Sequence, residues 1–72
     1  MRRNLYAKLN QGMDSFLRVA MTLRRKELSI EEISMNREQS GMYLTINEDE
    51  TSLEEVVNHM RKLYDVTDLH VQ

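Results

Sequence analysis

At 72 residues, with ten basic and twelve acidic side chains and a formal net charge of −2, the chain has length for one domain, residues 1–72, and lacks the basic field that draws proteins to nucleic acid. It has no cysteine, which excludes disulfides and thiolate metal sites, and no run near 18 apolar residues, which excludes a membrane-spanning helix. A domain this small buries only about 60% of its unfolded surface, so association is the expected supplement to a thin stability margin. The expectation is a cytoplasmic domain without a secretory signal, since Met1-Arg2-Arg3 leads directly into a strand pattern.

The first strand is expected over Asn4–Leu9, where Leu5, Ala7 and Leu9 alternate with Asn4, Tyr6 and Lys8. Asn10-Gln11-Gly12 is turn chemistry. The period then changes to Met13, Phe16, Leu17, Ala20 and Leu23, one face of a helix capped by Asp14 or Gly12. Arg24, Arg25 and Lys26 fall in its last turn, where cations complement the helix dipole, and this accounts for the cluster without a phosphate ligand.

A second strand is expected over Ile30–Arg37, with Glu31, Ile33 and Met35 on one side. Glu38-Gln39-Ser40-Gly41 reads as a hairpin turn in which Gly41 supplies a positive φ. The third strand follows, with Met42, Leu44 and Ile46 alternating against Tyr43, Thr45 and Asn47. Glu48-Asp49-Glu50 is a solvated connector, since three consecutive carboxylates converge poorly on a cation. The second helix opens on two overlapping capping boxes, Thr51 with Glu54 and Ser52 with Glu55, and carries Leu53, Val56, Val57, Met60 and Leu63 on one face. A last strand runs from Asp65 to Val71, its alternation slipping between Val66 and Leu69.

The order βαββαβ implies an α+β, ferredoxin-like fold: a four-stranded antiparallel sheet with both helices on one face. Tyr6, Lys8, Ser34, Tyr43 and Thr45 are left on the open face. No catalytic constellation emerges. His59 and His70 lack converging partners, the serines lack an adjacent base, and no glycine loop cradles phosphate, so neither an enzyme, a metal nor a cofactor is indicated. RNA-binding modules share this element order and stack bases on such tyrosines, but Gly41-Met42-Tyr43-Leu44-Thr45-Ile46 lacks their basic and paired-aromatic signature.

The run Leu23-Arg24-Arg25-Lys26-Glu27-Leu28-Ser29-Ile30-Glu31-Glu32-Ile33-Ser34-Met35 resembles the helix-to-strand segment of ACT domains in acetolactate synthase regulatory subunits. Leu17-Arg18-Val19 and Met60-Arg61-Lys62-Leu63-Tyr64-Asp65-Val66 are similar to that family's first-helix centre and second-helix ending. The resemblance implies a homodimeric, non-catalytic subunit that binds the large thiamine-diphosphate-dependent catalytic subunit. It also implies a branched-chain amino acid such as valine, held between the first strand–helix turn of one copy and the second strand of another. The matching effector-binding positions are Asn10, Gln11, Gly12, Met13 and Asp14 in the turn, with Ser29 and Ile30 opening the strand. Asp14 stands near the family's glycine, where its carboxylate repels another, and Glu27 occupies a place often held by Gly. The alternative is a free-standing amino-acid-sensing ACT domain serving another enzyme.

Overall fold

The computed structural model describes residues 1–72. Its elements are β1 (Arg2–Leu9), α1 (Gly12–Arg25), β2 (Ile30–Asn36), β3 (Gly41–Asn47), α2 (Leu53–Arg61) and β4 (Val66–Val71). The strands form one sheet in the order β2-β3-β1-β4 with every pairing antiparallel. This is the ferredoxin-like βαββαβ arrangement expected from the element order. β1 begins two residues earlier than its alternation suggests, while β2 ends one residue sooner and β4 starts one later.

Alternation along the two central strands builds the core. Leu5, Ala7 and Leu9 of β1 and Met42, Leu44 and Ile46 of β3 are buried on one face. Directly paired residues share a face, so Leu5 opposite Leu44 and Ala7 opposite Met42 form a continuous apolar floor. Val19 and Leu23 of α1 close it from above, with Val56, Val57 and Met60 of α2. α2 is the most literal translation of sequence into structure. Ser52 is its N-cap, accepting from the Glu55 N–H at 3.3 Å. The second expected box is not formed, because the buried Thr51 hydroxyl turns instead to the Ser29 backbone, accepting from its N–H at 2.9 Å.

Both edge strands contain a bulge, and each explains an irregular spacing. Ile30 pairs with Ile46 and Ile33 with Leu44, with a register shift between Ile30 and Glu32. Ile30 and Ile33, three residues apart, therefore both face the helices. In β4 the shift falls opposite Lys8/Leu9, so that Val66 pairs with Leu9 and Leu69 with Ala7. The slip between Val66 and Leu69 is thus one extra residue in an otherwise regular ladder.

The face of α1 departs from expectation. Its buried line is Ser15, Val19 and Leu23, whereas Met13 and Leu17 are exposed and Phe16 and Ala20 only half-buried. Asp14 and Gly12 do not cap the helix: Gln11 occupies the cap position, and its N–H donates to Ser15 Oγ at 2.9 Å. At the other end, Glu27 adopts φ +57°. Its N–H donates to Arg24 O at 3.0 Å and that of Leu28 to Leu23 O at 3.4 Å, the pattern that closes a helix through a left-handed residue.

Gly41 also has a different reason from the one its turn position suggests. The positive φ in that hairpin belongs to Ser40, at +51°. Gly41 is needed because a Cβ there would overlap Tyr6 Oη and lie 2.6 Å from two ring carbons. The Tyr6 ring covers the glycine and meets Tyr43 at a centroid distance of 4.9 Å, an arrangement that restores packing to a side-chain-free strand position. Gly41→Ala is expected to destabilise the protein by about 2 kcal/mol through overpacking. In a Tyr6→Leu background the same change should cost much less; equal costs in the two backgrounds, measured by urea unfolding, would contradict this contact.

Candidate functional site

β1 ends at Leu9, and the chain must turn through Asn10 and Gln11 to begin, at Gly12, a helix that lies back across the sheet. Gly12 makes this possible with φ +57°, a conformation open to glycine without penalty. The amides of Gly12, Met13 and Asp14 precede the intrahelical ladder of α1, and the positive end of the helix dipole lies with them. Met13 and Asp14 are exposed. An anionic group therefore meets backbone donors here, with the Asp14 carboxylate as the opposing charge.

Behind the turn lies a network that ties it to the loop between α2 and β4. Ser15, fully buried, donates to Asp65 Oδ1 at 2.9 Å. Arg18 holds the same carboxylate by two bonds, from Nε to Oδ2 at 3.0 Å and from Nη2 to Oδ1 at 2.7 Å, in the forked geometry that suits guanidinium to carboxylate. Arg18 Nη2 also donates to Gln11 Oε1 at 2.9 Å, and the Asn10 N–H donates to the Asp65 carbonyl at 2.8 Å. Asn10 is thereby fixed directly by Asp65, distant in sequence, and Gln11 by Arg18, which holds the same carboxylate. The Arg18 hydrogen bonds hold the Asp65 carboxyl below the usual carboxylate range; desolvation opposes them and Ser15 assists. The same bond raises Arg18, against desolvation, with the charges of Asp65 and Asp14 adding to it.

Of the seven residues matched by resemblance, the structure gathers Asn10, Gln11, Gly12, Met13 and Asp14 around this turn. It does not bring Ser29 and Ile30 to them. Ile30 and Arg3 both pair with Ile46, whereas Asn36 and Lys8 both pair with Gly41. The two groups thus lie at opposite ends of the sheet, five β1 residues or roughly 17 Å apart. A ligand touching both must touch two copies of the chain. Ser29 serves its own protomer instead, through Thr51 and through a 3.3 Å bond from its hydroxyl to Glu50 Oε2.

Ser15, Arg18 and Asp65 were not identified as a unit by sequence reasoning. The available signal was Ser15 itself, a polar residue on the line Ser15, Val19, Leu23 that the helix buries. Its partner lies fifty residues away, beyond any local pattern. The acidic connector does not converge: Glu48 pairs with Arg3 while Glu50 turns to Ser29. No group of three His, Asp or Glu side chains is arranged to hold a metal ion. No helix is long and apolar enough to cross a membrane. On the open face, the Tyr6 ring lies between Tyr43 and His70, the latter 6.5 Å away and bonded to Asp68 at 2.9 Å.

The model of the family described as "ACT domain" matches residues 11–69, from the turn to the middle of β4. A search of curated proteins returns no match.

Because the folded pKa of Asp65 is depressed, its contribution is complete above the unfolded carboxylate value, about 3.9. It is lost as pH falls through that value toward the folded one. Asp65→Asn is expected to be less stable than the parent at neutral pH, and the gap between their urea midpoints should close below about pH 4. A gap independent of pH would show that the carboxylate charge is not what holds the turn.

Proposed function

The chain belongs to the ACT-domain family, and from that membership we propose that it is the non-catalytic regulatory subunit of acetolactate synthase. In this reading it docks on the thiamine-diphosphate-dependent catalytic subunit and shifts its activity. The observation that carries the reading is the family match beginning at Gln11, the turn itself, and running through α2 into β4. The particular enzyme is supported by the local likeness of Leu23–Met35 and of Met60–Val66 to regulatory subunits of that synthase. A branched-chain amino acid such as valine is the proposed effector, its carboxylate at the first-turn amides beside Gly12 and its remainder against Ser29 and Ile30 of a second copy.

The mechanism follows from differential binding. A regulatory domain changes an enzyme by binding one of its states more tightly, and an effector adds its own preference between those states. The fold suits such coupling because the turn is joined to the α2–β4 loop by Asp65, so a ligand that displaces Gln11 or Arg18 is felt in that neighbouring loop. The second reading, a free-standing amino-acid sensor for another enzyme, rests on the same turn without the partner.

Mixing the purified chain with the acetolactate synthase catalytic subunit of the same organism separates the two. Co-elution in size-exclusion chromatography with a change in turnover is expected. Separate elution and unchanged turnover would remove the synthase reading, and a calorimetric signal with one amino acid alone would then favour the free-standing sensor.

A further inference from the structure

β4 is an edge strand, bonded to β1 on one side and to no strand on the other. An exposed edge is a template for pairing with another chain, and native sheets carry some device that closes it. On β4 the device can be read from the ladder. The Gln72 N–H donates to Asn4 O at 2.8 Å, while His70 stands opposite Tyr6 and Asp68 opposite Lys8. Inward donors alternate along an antiparallel strand. Gln72, His70 and Asp68 therefore turn their N–H groups to β1, and Leu69 and Val71 turn theirs outward.

The two outward donors are not equivalent. The Leu69 N–H donates to Asp68 Oδ1 at 3.0 Å. The other oxygen of the same carboxylate lies 2.9 Å from His70 Nε2, so Asp68 is held at the edge by the two residues that follow it. Its carboxylate covers the first outward donor and leaves the second, on a residue that is 44% exposed.

What the edge would accept is set by its own sequence. Leu69 and Val71 stand opposite Ala7 and Leu5, on the face that carries the core. A second β4 running antiparallel about a two-fold axis at His70 sets Leu69 of one copy against Val71 of the other, as an isologous contact requires. Both residues are apolar and share the core face, so the pairing would prolong the apolar floor from one copy into the next. Asp68 opposes it. In each copy the Leu69 N–H is already taken, which removes half of the donors such a ladder needs.

We infer that Asp68 closes the β4 edge, its carboxylate on the Leu69 N–H keeping a second copy from adding its own β4 antiparallel to this one. Neither the effector nor the catalytic subunit proposed above enters this inference, so it stands or fails apart from them.

Sedimentation equilibrium at one protein concentration compares the parent chain with Asp68→Asn, Asp68→Val and Asp68→Val combined with Val71→Pro. Asn retains an oxygen for the Leu69 N–H but not the charge, whereas Val removes the acceptor. Val71→Pro deletes an outward donor that β1 does not use. Asp68→Val is expected to reach about twice the parent's average mass or more, through addition of a second copy. Asp68→Asn and the double variant are expected to match the parent, all with unchanged circular dichroism because Asp68 and Val71 are exposed. Asp68→Val no heavier than the parent would overturn the inference. So would a double variant as heavy as Asp68→Val, which places the association elsewhere, or an Asp68→Asn as heavy, which assigns the closure to charge alone. The parent gives a check that needs no variant: its Leu69 amide, corrected for intrinsic rate, should exchange about fivefold more slowly than that of Val71, the worth of one hydrogen bond. Equal rates would contradict the cap.

Discussion

Everything in this fold rests on the apolar floor made by Leu5, Ala7 and Leu9 of β1 against Met42, Leu44 and Ile46 of β3. These are the two central strands, and their inward residues account for more than half of the eleven-member core. Both helices can reach the floor only because each crossover skips one strand, β3 for α1 and β1 for α2. The domain has two layers, so the reverse of the sheet and the outer arcs of the helices have nothing further to pack against. Only fourteen residues are buried in all, and a layer this thin leaves little surplus stability. Contacts at its margins, such as the Tyr6 ring on Gly41, then matter out of proportion to their area.

The candidate turn is held from outside itself. A glycine in the left-handed region starts the helix, but Asn10 and Gln11 are positioned by Asp65, Ser15 and Arg18, which span the gap between α1 and the start of β4. Two different demands therefore meet at Asp65. It stabilises the packing of α1 beside α2, and it sets the shape of the surface that the family match begins on. Such a joint ties the β1–α1 turn to the adjoining α2–β4 loop, so the shape of one depends on the other.

Much of this was legible in the sequence, for identifiable reasons. α2 combines period, cap and core face in agreement, so Ser52, Val56, Val57 and Met60 could be placed directly. β1 and β3 alternate cleanly because one face is buried and the other is not. The edge strands were harder: a single bulge inverts every later residue, and nothing in Ile30–Ile33 or Val66–Leu69 marks it except the broken alternation. α1 was misread because it has two apolar arcs, and the wider one is the outward one. The turn could be located from Asn10-Gln11-Gly12, yet Asp65, the distant residue on which its supports Ser15 and Arg18 converge, could not.

The central claim is that the effector proposed above sits between two copies of the chain, and the arc of α1 that its own fold leaves exposed, Met13, Leu17 and Met21, is where a second copy would register. The most direct measurement is the methyl NMR spectrum of the methionines across a dilution series of the parent chain. Met42 and Met60 are buried in the core and should keep their shifts, while Met13 and Met21 on the outer arc should move together as the concentration rises and a partner surface closes over them. If the Met13 and Met21 methyls stay at solvated positions at every concentration, the outer arc of α1 is not a contact surface between copies and the account is contradicted.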